Sequence, residues 1–315
     1  MGIARLLALL AAVVFCFAPA RDAAAQTTAL DAATYVGEQA CMQCHDTQDK
    51  HFAGTLHAKI FRQNPRTAGE RQVCEACHGP GSNHVKNPID HAALIGFTKE
   101  WGTPIAVQNA QCMNCHDGEQ RLHWQGSAHA NGQLGCSDCH NPMARNSTNG
   151  LLAKASISET CYRCHQQQEA EFRQRSHMPL PEGKISCVDC HNPHGSPTSP
   201  LLKADSINEV CYACHAEKRG PMLWEHAPVR ENCINCHKPH GSNNDDLLVA
   251  PRPYLCQQCH DASAGHSGIF YNASQTAAAA AQGGAQSPRV INRSCQNCHT
   301  QIHGSNSPSG ARFQR

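Results

Sequence analysis

Apolar residues are unevenly spread along these 315 residues. The one long apolar run, LLALLAAVVFCFA (6–18), follows Arg5 and precedes a small-x-small site at Ala23 and Ala25. That pattern is a secretory leader, with cleavage expected after Ala25; Ala18 and Ala20 offer an alternative site. Phe15, before Cys16, is too large for lipoprotein processing, so no lipid anchor is expected. The run is short for a spanning helix, and no later stretch is long and apolar enough to cross a bilayer.

After the leader, hydrophobic positions come in short bursts. ADSINEVCYACHAEK (204–218) and ASISETCYRCHQQQEAEFRQ (155–174) read as short helices capped by Ser206 and Ser156. NPHGSP (192–197) and KPHGSN (238–243) read as turns. No run of alternating β-branched residues predicts a sheet. The expected fold is short α-helices and coil, with little or no β-sheet. Aromatic residues are 5% of the chain and mean hydropathy is negative, so side chains alone make a thin core.

Removing residues 1–25 takes away Arg5, Arg21 and Asp22 and leaves 24 basic and 24 acidic residues. A near-neutral chain without a basic stripe does not predict a nucleic-acid partner.

Cysteine changes the picture. Of 21 Cys, only Cys16 lies in the leader; the other twenty form ten C-x-x-C-H motifs. The cysteine pairs are Cys41 and Cys44, Cys74 and Cys77, Cys112 and Cys115, Cys136 and Cys139, Cys161 and Cys164, Cys187 and Cys190, Cys211 and Cys214, Cys233 and Cys236, Cys256 and Cys259, and Cys295 and Cys298. Their histidines are His45, His78, His116, His140, His165, His191, His215, His237, His260 and His299. Cysteines three apart share one face of a helical turn. There they can add to the two vinyl groups of one haem, and the following His can bind iron as proximal ligand. Disulfides, redox pairs or zinc sites do not require a His after every second Cys. Ten covalently attached haem c groups are therefore expected. They would replace the missing core, and their twenty propionates would make the holoprotein acidic.

A repeat sorts the other histidines. Residues 177–215 run as a leading His177, a motif, a trailing His194, a linker with Leu201–Leu202, and a second motif. Residues 226–260 repeat this with His226, His240 and Leu247–Leu248; residues 129–165 repeat it with His129, Met143 and Leu151–Leu152. Looser frames place His57 and His84 upstream, and His266 and His303 downstream of 260, with an Ala/Gln/Gly-rich linker at 272–288. Ten spare ligand positions thus match ten motifs, nine His and one Met. Every iron is expected to be six-coordinate. Met143, in register with histidines, is expected to give one higher-potential haem, because His/Met ligation raises the potential. His51, His91 and His123 lie outside the frame and remain alternatives for that ligand. Trp101, Trp124 and Trp224 are expected to pack against haem. The motifs divide into five-haem halves, 26–170 and 171–315.

CYACHAEKRGPMLWEHAPVRENCINCHKPHGS (211–242) and NCHTQIHGSNSPSG (297–310) resemble the periplasmic decahaem cytochromes of outer-membrane porin–cytochrome conduits, the Mtr, Mto and Pio type. The likeness covers nearly all of the chain after the leader. It implies a periplasmic protein held at the outer membrane inside a β-barrel porin. It also implies periplasmic or inner-membrane cytochromes on one side, and extracellular Fe(II) or an outer-surface cytochrome on the other. In metal-reducing relatives the position of Met143 looks like a histidine, so this chain resembles the iron-oxidising branch.

Saturated, closely spaced haems suit electron hopping and bind substrate poorly. Lipid excludes charge, whereas a porin lumen can be polar. The expected function is an electron conduit across the outer membrane, with electrons moving inward, and no catalytic residue. The rivals are outward transfer to extracellular metal oxides or other acceptors, a soluble periplasmic shuttle, and a multihaem oxidoreductase.

Overall fold

The computed structural model describes residues 30, 32–260, 295–308 and 310–314. The leader, His266 and the linker at 272–288 lie outside these residues. Among the described residues there is no strand, only five isolated bridges, and no helix is long and apolar enough to cross a membrane.

The backbone forms two compact units. The first runs to Cys161 and includes Pro193–Gly195; the second comprises Tyr162–Asn192 and the residues from Ser196 onward.

In the first unit, Asp46–Ala53 and Leu56–Gln63 are helices of eight residues, and Ile105–Met113 has nine. Thr55 starts the second of these by accepting the Ala58 N–H at 3.2 Å, a cap worth about 1 kcal/mol. These helices bury Phe52 and Ala58 with Val73, and Phe61, Cys74 and Met143 pack against that cluster. Arg62 ties the helix pair to Glu38 and Asp49. Glu75, inside an attachment motif, accepts the N–H groups of Val36, Gly37 and Gly81 and fixes the entering chain.

Ser206 in the second unit and Ser156 in the first do accept the N–H groups of Glu209 and Glu159, at 3.2 and 3.1 Å. The two expected helices are shorter than their polar–apolar pattern suggests. They end at Tyr162 and Tyr212, and structure resumes at Gln166–Phe172 and Ala216–Lys218. The break falls on the attachment histidine. His165 and His215 leave the helical region, with φ/ψ of −93°/55° and −104°/52°.

Eleven hydrophobic side chains are buried among the described residues, and no large side chain is fully buried. A core this sparse fits a chain that wraps apolar groups other than its own side chains.

Candidate haem sites

In nine attachment motifs the histidine N–H returns to the first cysteine carbonyl at 2.8–3.2 Å, closing one helical turn. This brings the two thiols and the imidazole of each motif together.

The motifs end in two ways. After Cys136–Cys139 and Cys187–Cys190, His140 and His191 turn extended, with ψ of 143° and 146°. Each pairs with the second leucine of the frame, as does His237: His140 with Leu152, His191 with Leu202, His237 with Leu248. The preceding carbonyls of Gly150, Pro200 and Asp246 accept the N–H of the imidazole Nδ1 at 2.7, 2.9 and 2.8 Å. The Leu-Leu element of the repeat is thus a fold-back that fixes the proximal imidazole and its tautomer. Its first leucine adopts left-handed backbone in all three copies, φ 46°, 59° and 58° at Leu151, Leu201 and Leu247. The outer frames reach the same end with other residues. Ile95 accepts from His78 Nδ1 at 2.7 Å, and Arg312 accepts from His299 Nδ1 at 2.5 Å. The attachment histidines of the alternate motifs, His45, His116, His165, His215 and His260, are exposed.

Six frame histidines each face an attachment histidine. The ring centres are 6.3 Å apart for His45 and His84, 6.0 Å for His57 and His116, and 5.9 Å for His140 and His194. They are 6.2 Å apart for His191 and His240, and 6.0 Å for both His226 with His260 and His237 with His303. Two imidazoles on opposite sides of one first-row metal need about 6 Å between centres, from bonds of about 2 Å and roughly 1 Å from nitrogen to ring centre. Direct stacking gives another value: His91 lies on Trp101 at 4.3 Å and 12°. His57 and His84 each bury Nδ1 without a hydrogen-bond partner, a costly state for a ring whose position is set by packing alone. Burial also lowers the pKa of His57, His84, His194, His226, His240 and His303, and so favours the neutral imidazole that binds metal. The residues fit bis-histidine haem.

The remaining frame positions differ. His129 Nδ1 donates to Pro193 at 2.7 Å. His177 donates from Nδ1 to Gln174 at 2.7 Å and meets Glu182 through Nε2 at 3.1 Å. Met143 is half-buried against the cluster of Phe52, Ala58 and Val73, and its N–H donates to Asn141 Oδ1 at 3.0 Å. Outside the frame, His51 and His123 are exposed and His91 is taken up by Trp101. Trp101 also lies 5.9 Å from His84, Trp124 is buried, and the Trp224 indole donates to Ser307.

Thiols of successive motifs approach each other in alternation. First cysteines interact in the pairs Cys41–Cys74, Cys112–Cys136, Cys211–Cys233 and Cys256–Cys295. Second cysteines interact in the pairs Cys77–Cys115, Cys190–Cys214 and Cys236–Cys259. Burial and these neighbours push Cys74 and Cys211 up to about 12 and Cys256 up to about 11. Two asparagines that the sequence did not single out hold such pairs. Asn109 accepts the Cys136 N–H and Asn208 accepts the Cys233 N–H, both at 2.8 Å, each from three residues before the first cysteine of its own motif.

C-x-x-C-H motifs and imidazoles paired about 6 Å apart define a multihaem c-type cytochrome. The doubled C-x-x-C-H motif family matches residues 177–220 and 226–265, and the NrfB-like cytochrome c-type family matches 74–158. The chain is 44% identical over 287 residues to multiheme cytochrome MtrA of Shewanella baltica strain OS185, covering 89% of this chain and 81% of that protein. It belongs to the MtrA-like multihaem cytochromes, which are electron-transfer proteins. It is also 28% identical over 182 residues to the polyheme cytochrome OmcB of Geobacter sulfurreducens, covering 51% of this chain and 20% of that protein. A solved undecaheme S-layer cytochrome of Carboxydothermus ferrireducens aligns at 17% identity with a TM-score of 0.12, over 78% of this chain and 32% of that one. That score carries no structural argument.

Proposed function

We propose that this chain carries ten haems as an electron conduit across the outer membrane, inside a β-barrel porin, after export to the periplasm. Haem c supplies one-electron exchange between ferric and ferrous iron. The paired imidazoles carry the reading: six frame histidines stand 5.9–6.3 Å from attachment histidines. Along the described motifs of each unit, the thiols of successive motifs lie near enough to influence one another, an arrangement suited to a linear series. Axial saturation argues against a substrate position on iron. A polar chain with haem propionates needs a polar lumen to cross hydrocarbon, which a porin offers.

The ring pairs suggest a ligand register. A trailing histidine serves the first motif of the frame before its own: His194 for His140, His240 for His191 and His303 for His237. A leading histidine serves the motif after its own: His57 for His116 and His226 for His260. Continued within each unit, this register gives His177 to His215 and Met143 to His78. Met143 packs on the cluster of Phe52, Ala58 and Val73, and Cys74, the first thiol of the His78 motif, packs on the same cluster, which supports the second assignment. A His/Met haem of raised potential near the front of the series favours a mild donor. We therefore read the direction as inward, from extracellular Fe(II) to periplasmic or inner-membrane cytochromes.

Reconstitution of the holoprotein with its porin in liposomes enclosing a redox dye tests the conduit. External ferrous iron should reduce the dye only when both proteins are present. No reduction with both present would overturn the reading.

A further inference from the structure

His240 differs from other axial candidates in what its outer nitrogen meets. Nδ1 of His78, His140, His191, His226, His237 and His299 donates to a backbone carbonyl. Nδ1 of His240 faces the carboxylate of Glu171, at 3.3 Å from Oε2. His215 also has a glutamate nearby, but Glu217 stands 3.6 Å away and both side chains are exposed.

Glu171 is held where it is. Its side chain is 10% exposed, and Lys238 Nζ and Gln167 Nε2 each bond Oε1 at 3.1 Å. Phe172, its neighbour, packs on the His240 ring at 5.3 Å. The approach depends on Gly241, where a Cβ would fall 1.9 Å from the Glu171 carbonyl oxygen. The glycines after the other trailing histidines have similar neighbours without a carboxylate: Gly195 lies on the His123 backbone and Gly304 on Met222.

We propose that Glu171 is a positioning residue that lowers the potential of the haem attached at Cys187 and Cys190, acting through the outer nitrogen of its distal ligand His240. This rests on the reading of His240 as the ligand opposite His191, whose ring lies 6.2 Å away. A carboxylate accepting the Nδ1 proton makes the imidazole a stronger donor and stabilises ferric over ferrous iron. Lys238, the counter-ion of Glu171, opposes the effect.

The test is optical redox titration of the purified holoprotein and of the Glu171→Gln and Lys238→Gln variants, with haem content and spin state checked. Glu171→Gln should move one haem's share of the absorbance change to higher potential, and Lys238→Gln should move the same share lower. A structural defect would not give opposite signs. No displacement, or displacement in the same direction by both, overturns the proposal. If Glu171→Gln does not assemble, the sign of Lys238→Gln decides alone. His240→Ala separates the two failures. One high-spin, carbon monoxide-binding haem in that variant, with no displacement in the other two, overturns only the role of Glu171. Ten low-spin haems in His240→Ala would overturn the axial reading as well.

Discussion

The imidazoles of His57 and His116 stand with their planes at 82°, whereas the other paired histidines lie between 13° and 44°. Parallel axial planes separate the energies of two iron d orbitals; perpendicular planes leave them nearly degenerate. The ferric protein should therefore show one strongly anisotropic low-spin EPR signal among ordinary rhombic ones. His57→Ala should remove that signal and create one high-spin haem. Its survival in the variant would show that another pair produces it.

Met143 should set the highest potential in the protein. Met143→His is expected to abolish the high-potential component of a redox titration and the near-infrared charge-transfer band of a His/Met haem. A purely bis-histidine magnetic circular dichroism spectrum in the unaltered protein would eliminate this role.

Two glycines that follow trailing histidines should resist a side chain. A Cβ on Gly195 would lie 2.0 Å from the His123 carbonyl oxygen, and one on Gly241 1.9 Å from that of Glu171. Both obstacles are backbone, so relief requires segments to shift, at about 1–3 kcal/mol each. Gly195 also has φ of 118°, which disfavours alanine further. Gly195→Ala and Gly241→Ala should lower the thermal midpoint. Gly118→Ala, with nothing within 4 Å, should leave it near the original value.

Asn208 is buried and bonds three backbone groups, the Cys233 N–H and the carbonyls of Val229 and Arg230. Asn208→Ala leaves all three without this partner, at a cost of about 1–3 kcal/mol for a buried group left unmade. The urea midpoint should fall at unchanged slope. An unchanged midpoint would mean that water replaces the amide.

Much of the site was legible because attachment is local. Cys187, Cys190 and His191 occupy one closed turn, so spacing alone identifies them. The six frame histidines that the structure sets opposite attachment histidines were legible as members of the repeat. Leu201–Leu202 was visible as part of the frame, but its role was not, since the carbonyl it brings to His191 belongs to Pro200 backbone. Glu171 and Asn208 carried no signal. Each is one polar residue on a short helix, and its partner becomes a neighbour only when the chain returns.

The sequence by itself determined the ten C-x-x-C-H motifs and the repeated frame of spare His and Met positions around them, because those features recur within a few residues. Only the tertiary structure decided which rings face each other. His226 reaches forward to His260 and His303 reaches back to His237, contacts made by separate segments folding together. Pairing of that kind depends on the path of the backbone between the ligands, and local spacing does not encode that path.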